Sequence, residues 1–457
     1  MTGTNETDER LRALLREDAD RVRPSAVPPP GLRSRAMRRA AFTAVVGAVV
    51  VALVAGATVV GVRAIGRGPA PQPAAVPGCS SWSVVTAPSH VDSGRDTYLN
   101  SVAATSPADA LAIGTSREPG EGGLEVLELQ RWDGVDWSEL TAPDVGATGD
   151  ELSLFSVSAA GPGDAWAVGF TNTEHGGIPL ALHWDGQQWL PVAVPPSEEP
   201  ENHLFGVAAL APDDVWAVGG WARPGQLQGG SLVAHWDGIR WSTTALPTTL
   251  RQGHESGGPY DTLNAVAGAS GADLWAVGGQ YNVPQTFQRT LIEHWDGHAW
   301  TRTESPNVEP QPAAGEVDDG LQAVAAISPD DAWAVGSYEE LGLRRDAPIT
   351  ARPLALHWDG SAWQVVPVPV VDHGGLTGVA ALAPDDVWAV GSSYDEPGAP
   401  GRPLLVHWDG TEWSETTPPI STTGGLQAVT AIPGGGLWAV GYLGPGSPAR
   451  SLVLRCS

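Results

Sequence analysis

Leu204-Phe205-Gly206-Val207-Ala208-Ala209-Leu210-Ala211-Pro212-Asp213-Asp214-Val215-Trp216-Ala217-Val218-Gly219, followed after a spacer by Leu232-Val233-Ala234-His235-Trp236-Asp237-Gly238-Ile239-Arg240-Trp241, reads as four short strands. Residues 204–210 alternate along an innermost strand, whose small side chains suit a crowded ring centre. Pro212-Asp213-Asp214 is a turn whose aspartates can bond nearby backbone N–H groups. Residues 215–219 and 232–236 are the second and third strands. Asp237-Gly238 is a two-residue hairpin signal, with Gly supplying positive φ. Trp241 opens the outermost strand.

The phrase recurs seven times from about Leu99 to the last residue. Trp-Ala-Val-Gly starts at Trp166, Trp216, Trp275, Trp333, Trp388 and Trp438, with Leu111 replacing Trp in the first copy. Trp-Asp-Gly starts at Trp132, Trp184, Trp236, Trp295, Trp358 and Trp408, each followed five residues on by another Trp. Four strands per copy, at a spacing of 48 to 63 residues, predict an all-β, seven-bladed β-propeller over residues 79–457. The seventh copy stops at Cys456-Ser457, one strand short. The missing strand lies in Cys79-Ser80-Ser81-Trp82-Ser83-Val84-Val85-Thr86. In alignment Cys456 takes the Trp184 position and Cys79 the Gly186 position. The two cysteines, the only two in the chain, are therefore expected to form a disulfide across the closing blade. Closure of this kind removes an open sheet edge.

The repeat accounts for 19 of the 20 tryptophans, as core between blades. His183, His235, His294, His357 and His407 precede the third-strand Trp, with Arg131 and Arg455 in the other two copies. They belong to different blades, whereas one metal ion gathers its ligands within about 2 Å of a shared point. They read as strand residues meeting a neighbouring polar group, so they predict neither a metal site nor a cofactor. The Asp of each Trp-Asp-Gly reads as a turn residue, and no catalytic residue is assigned.

The formal charge of −27 is unevenly placed: residues 1–67 hold 11 Arg and 6 acids (+5), and the remainder 14 Arg and 46 acids (−32). Such an acidic propeller argues against nucleic acid as a partner. Residues 40–62 are uncharged. The part from Phe42 to Val62 spans about 31 Å as a helix, enough to cross a bilayer. Arg33, Arg35, Arg38 and Arg39 precede it and Arg63 and Arg67 follow, which places the N-terminus in the cytoplasm. The expected organisation is a cytoplasmic segment (1–39), a single transmembrane helix (40–62), a Pro-rich stalk (63–78) and an extracytoplasmic propeller (79–457) on the cell membrane. An outside location is one where a disulfide persists. The helix expected around residues 9–19 places Leu11, Leu14 and Leu15, with Val22, on one face, spaced for a partner helix such as that of a cytoplasmic regulator.

Asp-Gly-x-x-Trp between third and fourth strands resembles the Asp-box of sialidase-type propellers. Trp-Ala-Val-Gly followed by that turn resembles the propellers of photosystem II assembly factors. The usual box places Gly two and Trp five residues after Asp, whereas Gly186 and Trp189 follow Asp185 by one and four. The whole phrase is most similar to bacterial, actinobacterial-type envelope proteins that carry it, a group without an assigned activity. These resemblances imply the fold. Sialidase activity is not implied, because no central set of arginines stands out.

Turns joining first to second and third to fourth strands share one face and are short. All length variation falls on the opposite face, where binding loops are expected; the longest connections are residues 220–231, 242–262, 301–320 and 337–353. Phe170, Trp221, Tyr281, Tyr338, Tyr394 and Tyr442 follow the repeat glycine within three residues, and Tyr98 and Tyr260 precede first strands. These rings, with Arg344 and Arg345 in a charged loop, form the candidate ligand-binding face. The function expected is non-catalytic binding of a cell-envelope glycan or protein. The alternatives are a transmembrane sensor acting through residues 1–39 and a glycan-active hydrolase or lyase.

Overall fold

The seven phrases form seven four-stranded antiparallel sheets, six of which follow the chain from innermost to outermost strand. The computed structural model describes residues 78–118, 125–145, 152–173, 176–199, 201–223, 226–247, 260–281, 288–308, 317–340, 350–369, 373–396, 399–444 and 448–457. The expected cytoplasmic segment, transmembrane helix and most of the stalk lie outside these residues, as do Arg344 and Arg345. Among the described residues no helix is long and apolar enough to cross a membrane.

Blade three shows the pattern: Glu201–Ala211, Asp214–Arg223, Gln226–Trp236 and Trp241–Ala245. Blade seven is composite. Gly424–Ala431, Leu437–Leu443 and Arg450–Cys456 come from the C-terminus, and Trp82–Val85 supplies the outer strand. Trp82 pairs with Cys456 as Trp189 pairs with Trp184. Cys79 is bonded to Cys456, with Cα atoms 5.4 Å apart, so the expected seam and its cross-link both form.

Every first strand shares one bulge, and six of them carry a second near the turn. The register slips by one residue after Leu99, Leu154, Leu204, Leu263, Leu321, Leu376 and Leu426, each fully buried. The slip turns the next residue aside. At three blades that residue bonds the backbone of the next blade: Asn100 Nδ2 donates to the Leu154 carbonyl at 2.9 Å, Asn264 Nδ2 to Leu321 at 2.8 Å and Thr377 Oγ1 to Leu426 at 2.8 Å. The same bulge explains the invariant glycine of Trp-Ala-Val-Gly. A Cβ on Gly219 would collide with the His203 carbonyl, and the equivalent clash recurs at the other six glycines.

The tryptophans bridge blades in a fixed sense. Trp166 of blade two packs on Trp236 and Trp241 of blade three, with centroids 4.9 and 5.2 Å away. Trp216, Trp275 and Trp333 repeat this toward blades four, five and six, and Trp438 toward Trp132 and Trp137 of blade one. Trp388 meets Trp82, the N-terminal contribution to blade seven, at 5.4 Å. In blade one Leu111 packs against Trp184 and Trp189 instead.

Candidate functional site

The two faces differ in how their polar groups are used. At the face of the short turns, each repeat histidine finds the last Asp of the preceding turn. His183–Asp164, His235–Asp214, His357–Asp331 and His407–Asp386 are bonded at 2.9 Å, and His294–Asp273 at 2.6 Å. Arg131 makes the equivalent bond to Asp109 at 3.0 Å. Blade seven has no Asp there, and Arg455 instead lies 5.0 Å over the Trp438 ring. The imidazoles also lie against the second-strand indoles, as His235 does on Trp216 at 4.2 Å. Asp214, expected to serve backbone N–H groups, is thus taken up by His235 and by Trp216 Nε1 at 2.9 Å. The Asp-Gly aspartates do fold the backbone: Asp409 Oδ1 accepts the N–H groups of Thr411 and Glu412 at 2.8 and 2.9 Å. Those bonds, led by the Thr411 hydroxyl, hold its pKa down at about 2. Gly410 takes φ +91°, as the turn requires. This face is structural machinery.

The opposite face carries the long connections. Two of the rings expected there are not exposed. Phe170 is 8% exposed, stacked on Phe155 at 5.7 Å and 4.2 Å from His203. Trp221 is 6% exposed, with the Arg223 guanidinium 5.7 Å over its ring. It lies across Gly230, where a Cβ would come within 2.6 Å of its Nε1. These two cover blade ends. Tyr260 and Tyr281 are partners in the backbone register of the first two strands of blade four. Tyr338 is half-buried, opposite Arg352 in the register, and Tyr394 stacks flat on His373 at 5.8 Å.

Tyr98 and Tyr442 meet edge to face at 5.1 Å where blade one adjoins blade seven. Beside them is a cavity of about 300 Å³ lined by Asp96, Tyr98, Asn100, Arg117, Glu125 and Ser153, among others. Burial, then the Asp96 charge, pushes the Tyr98 phenol pKa up, so the hydroxyl stays a neutral donor. Arg117 and Glu125 approach to 4.0 Å across adjacent strands, and Ser153 reaches Glu125 at 3.5 Å. A phenol face, two carboxylates, a guanidinium, an amide and a hydroxyl converge here. Of the residues named from sequence, only Tyr98 lines this cavity, and Tyr442 backs it. The others were missed, although Asn100 occupies the bulge position that follows an invariant Leu.

A second cavity, of about 320 Å³, lies at blade four between Arg289, Arg302, Glu304 and Asn307. Its two arginines are already engaged. Arg302 joins Asp261 at 2.8 Å and Glu293 at 3.1 Å, and Arg289 reaches Asp319 at 3.5 Å. Burial raises the pKa of Glu293, and that of Asp319 to about 6. Both carboxylates are buried, and neither lines the cavity.

No family model matches the sequence, and no curated protein matches it. Among solved structures the chain is similar to YCF48 bound to D1 peptide (12% identity, TM-score 0.48, covering 83% of this chain and 99% of that one). It is also similar to a polysaccharide lyase, an ulvan lyase bound to GlcA(1-4)Rha3S (9% identity, TM-score 0.50, 78% and 93% covered). A third is the sialidase of Trypanosoma rangeli (11% identity, TM-score 0.41, 65% and 53% covered). At these identities the likeness is one of fold.

Proposed function

We propose that the chain is a membrane-anchored, extracytoplasmic β-propeller that binds a cell-envelope glycan without catalysis, through the face of variable connections. The observation that carries this reading is the cavity beside the Tyr98–Tyr442 pair. It combines a half-buried aromatic face with convergent hydrogen-bonding groups, the chemistry that suits a sugar ring. Two carboxylates of raised pKa at blades four and five, Glu293 and Asp319, are each buried against an arginine, which favours binding over acid–base chemistry there. The anchor rests on the uncharged run from Phe42 to Val62 and its arginine flanks. The disulfide seam supports an oxidising compartment.

The test is retention of the full-length protein on polysaccharide isolated from the producing cell's envelope. Tyr98→Ala and Tyr442→Ala should each weaken retention about tenfold or more, the cost of one lost aromatic contact. Trp221→Ala, remote from the cavity, serves as a control for general damage to that face. Undiminished retention of both tyrosine variants would remove this cavity from the function. Retention by an envelope protein and by no polysaccharide would reassign the face to a protein partner.

A further inference from the structure

One column of the repeat breaks at the seam between blades seven and one. Four residues before the end of the third-strand phrase stand Leu180, Leu232, Leu291, Leu354, Leu404 and Leu452, and in blade one Glu128. Its side chain is 1% exposed. A carboxylate in a slot that accepts Leu six times carries a desolvation cost, and burial raises its pKa.

The groups around it are arranged for a ligand. His90, on the connection from the closing strand into blade one, places Nε2 3.0 Å from Glu128 Oε2. Glu139 Oε1, from the outer strand of blade one, lies 3.7 Å from the same nitrogen. Gln130 Nε2 donates to Glu128 Oε1 at 2.8 Å and to the Pro88 carbonyl at 3.0 Å, holding both the carboxylate and the connection that carries His90. Among the described residues this is the one place where three such side chains converge, their ligand atoms all within 4.8 Å of one another.

We propose that His90, Glu128 and Glu139 form a divalent-cation site of the zinc class that ties the closing connection to blade one. A tetrahedral ion with bonds of about 2.1 Å sets its ligand atoms about 3.4 Å apart, between the two separations found here. One imidazole nitrogen with carboxylate oxygens suits zinc better than calcium or magnesium, which favour oxygen alone. A single imidazole cannot balance two carboxylates, whereas a divalent ion does. Gln130 supplies the outer hydrogen bond that orients a ligating carboxylate. Glu139 is 54% exposed and His90 24%, so the solvent side is open for a water ligand and for entry. The repeat His–Asp pairs at the opposite face lack this third group and provide the internal contrast.

The test uses full-length protein stripped with a chelator, dialysed against zinc chloride, and assayed for bound zinc by elemental analysis and calorimetric titration. Wild type should retain one equivalent. Glu128→Leu restores the residue of the other six blades, so it should fold and lose the ion. His90→Ala and Glu139→Gln should weaken binding about 100-fold, and Gln130→Ala about 10- to 100-fold. Zinc absent from wild type, or retained undiminished by Glu128→Leu, would overturn the site. Should Glu128→Leu fail to fold, Glu139→Gln decides, because that side chain is largely in solvent: unchanged zinc affinity there overturns the proposal equally.

Discussion

At the face of the Asp-Gly turns, blades two to six repeat one arrangement: an imidazole on an indole, bonded to a turn aspartate at 2.6 to 2.9 Å. At the opposite face each blade ends differently. Blade one offers Tyr98, Arg117 and Glu125 around a cavity, blade two buries Phe170 on Phe155, blade five pairs Tyr338 with Arg352, and blade six stacks Tyr394 on His373. The constant face spends its polar groups on one another, leaving little for a ligand to engage. The variable face is unrepeated, and at blade one it keeps Tyr98, Arg117 and Glu125 around an open cavity. Damage at the first should therefore appear as lost stability, and damage at the second as lost binding.

The largest test of that division is Trp333→Ala set against Tyr394→Ala. Trp333 is fully buried between Trp408 and Trp413 of the next blade, at 4.9 and 5.1 Å. Its loss should cost about 3–5 kcal/mol in denaturant unfolding. Tyr394→Ala should cost under about 1 kcal/mol. Equal costs would show that the variable rim is core as well. Next in size is the seam. Cys79→Ser with Cys456→Ser opens a link across 377 residues and should cost about 2–5 kcal/mol. A reductant should bring wild type down to the double variant in a thermal scan and leave the variant unmoved.

What could be read from sequence follows the same division. The Trp, His and Asp-Gly columns recur at fixed offsets, so one blade's logic sets seven, and the Cys79–Cys456 seam falls out of the alignment. The reason for the invariant Gly219 does not, because it depends on the bulge after Leu204 that brings the His203 carbonyl into the Cβ position. At the rim, position along the strand does not tell which way a ring turns. Trp221 is buried because Gly230 leaves a flat surface beneath it, and Phe170 because Phe155 and His203 flank it. Both are tertiary circumstances. Glu128 was legible all along, as the one charge in a column of leucines. It escapes notice when attention goes to the residues that repeat.

Two carboxylates at opposite faces give the smaller tests, and they should respond to pH with opposite slopes. Asp319, at the variable end of blade five, is fully buried, and burial outweighs the Val308 N–H and Arg289 in raising its pKa from 3.8 to about 6. A raised folded pKa means that its contribution is present below about pH 4 and lost as pH rises through about 6. Asp319→Asn should therefore match wild type near pH 4 and exceed it by about 1–3 kcal/mol at pH 7 to 8, measured by urea unfolding.

Asp359, in an Asp-Gly turn at the constant face, is shifted the other way. The Ser361 hydroxyl, then the N–H groups of Ala362 and Ser361, lower its pKa to about 2. Its contribution is present above about pH 4 and is lost as pH falls through about 2. Asp359→Ala should lower the urea midpoint at pH 7 by less than any change above, and the gap should close as pH falls from 4 toward 2. A gap that persists at the lowest pH would mean that the ionised carboxylate is not what holds the turn. The constant face would then owe its uniformity to Gly360 at φ +86° and to the paired tryptophans Trp358 and Trp363, with the aspartate incidental.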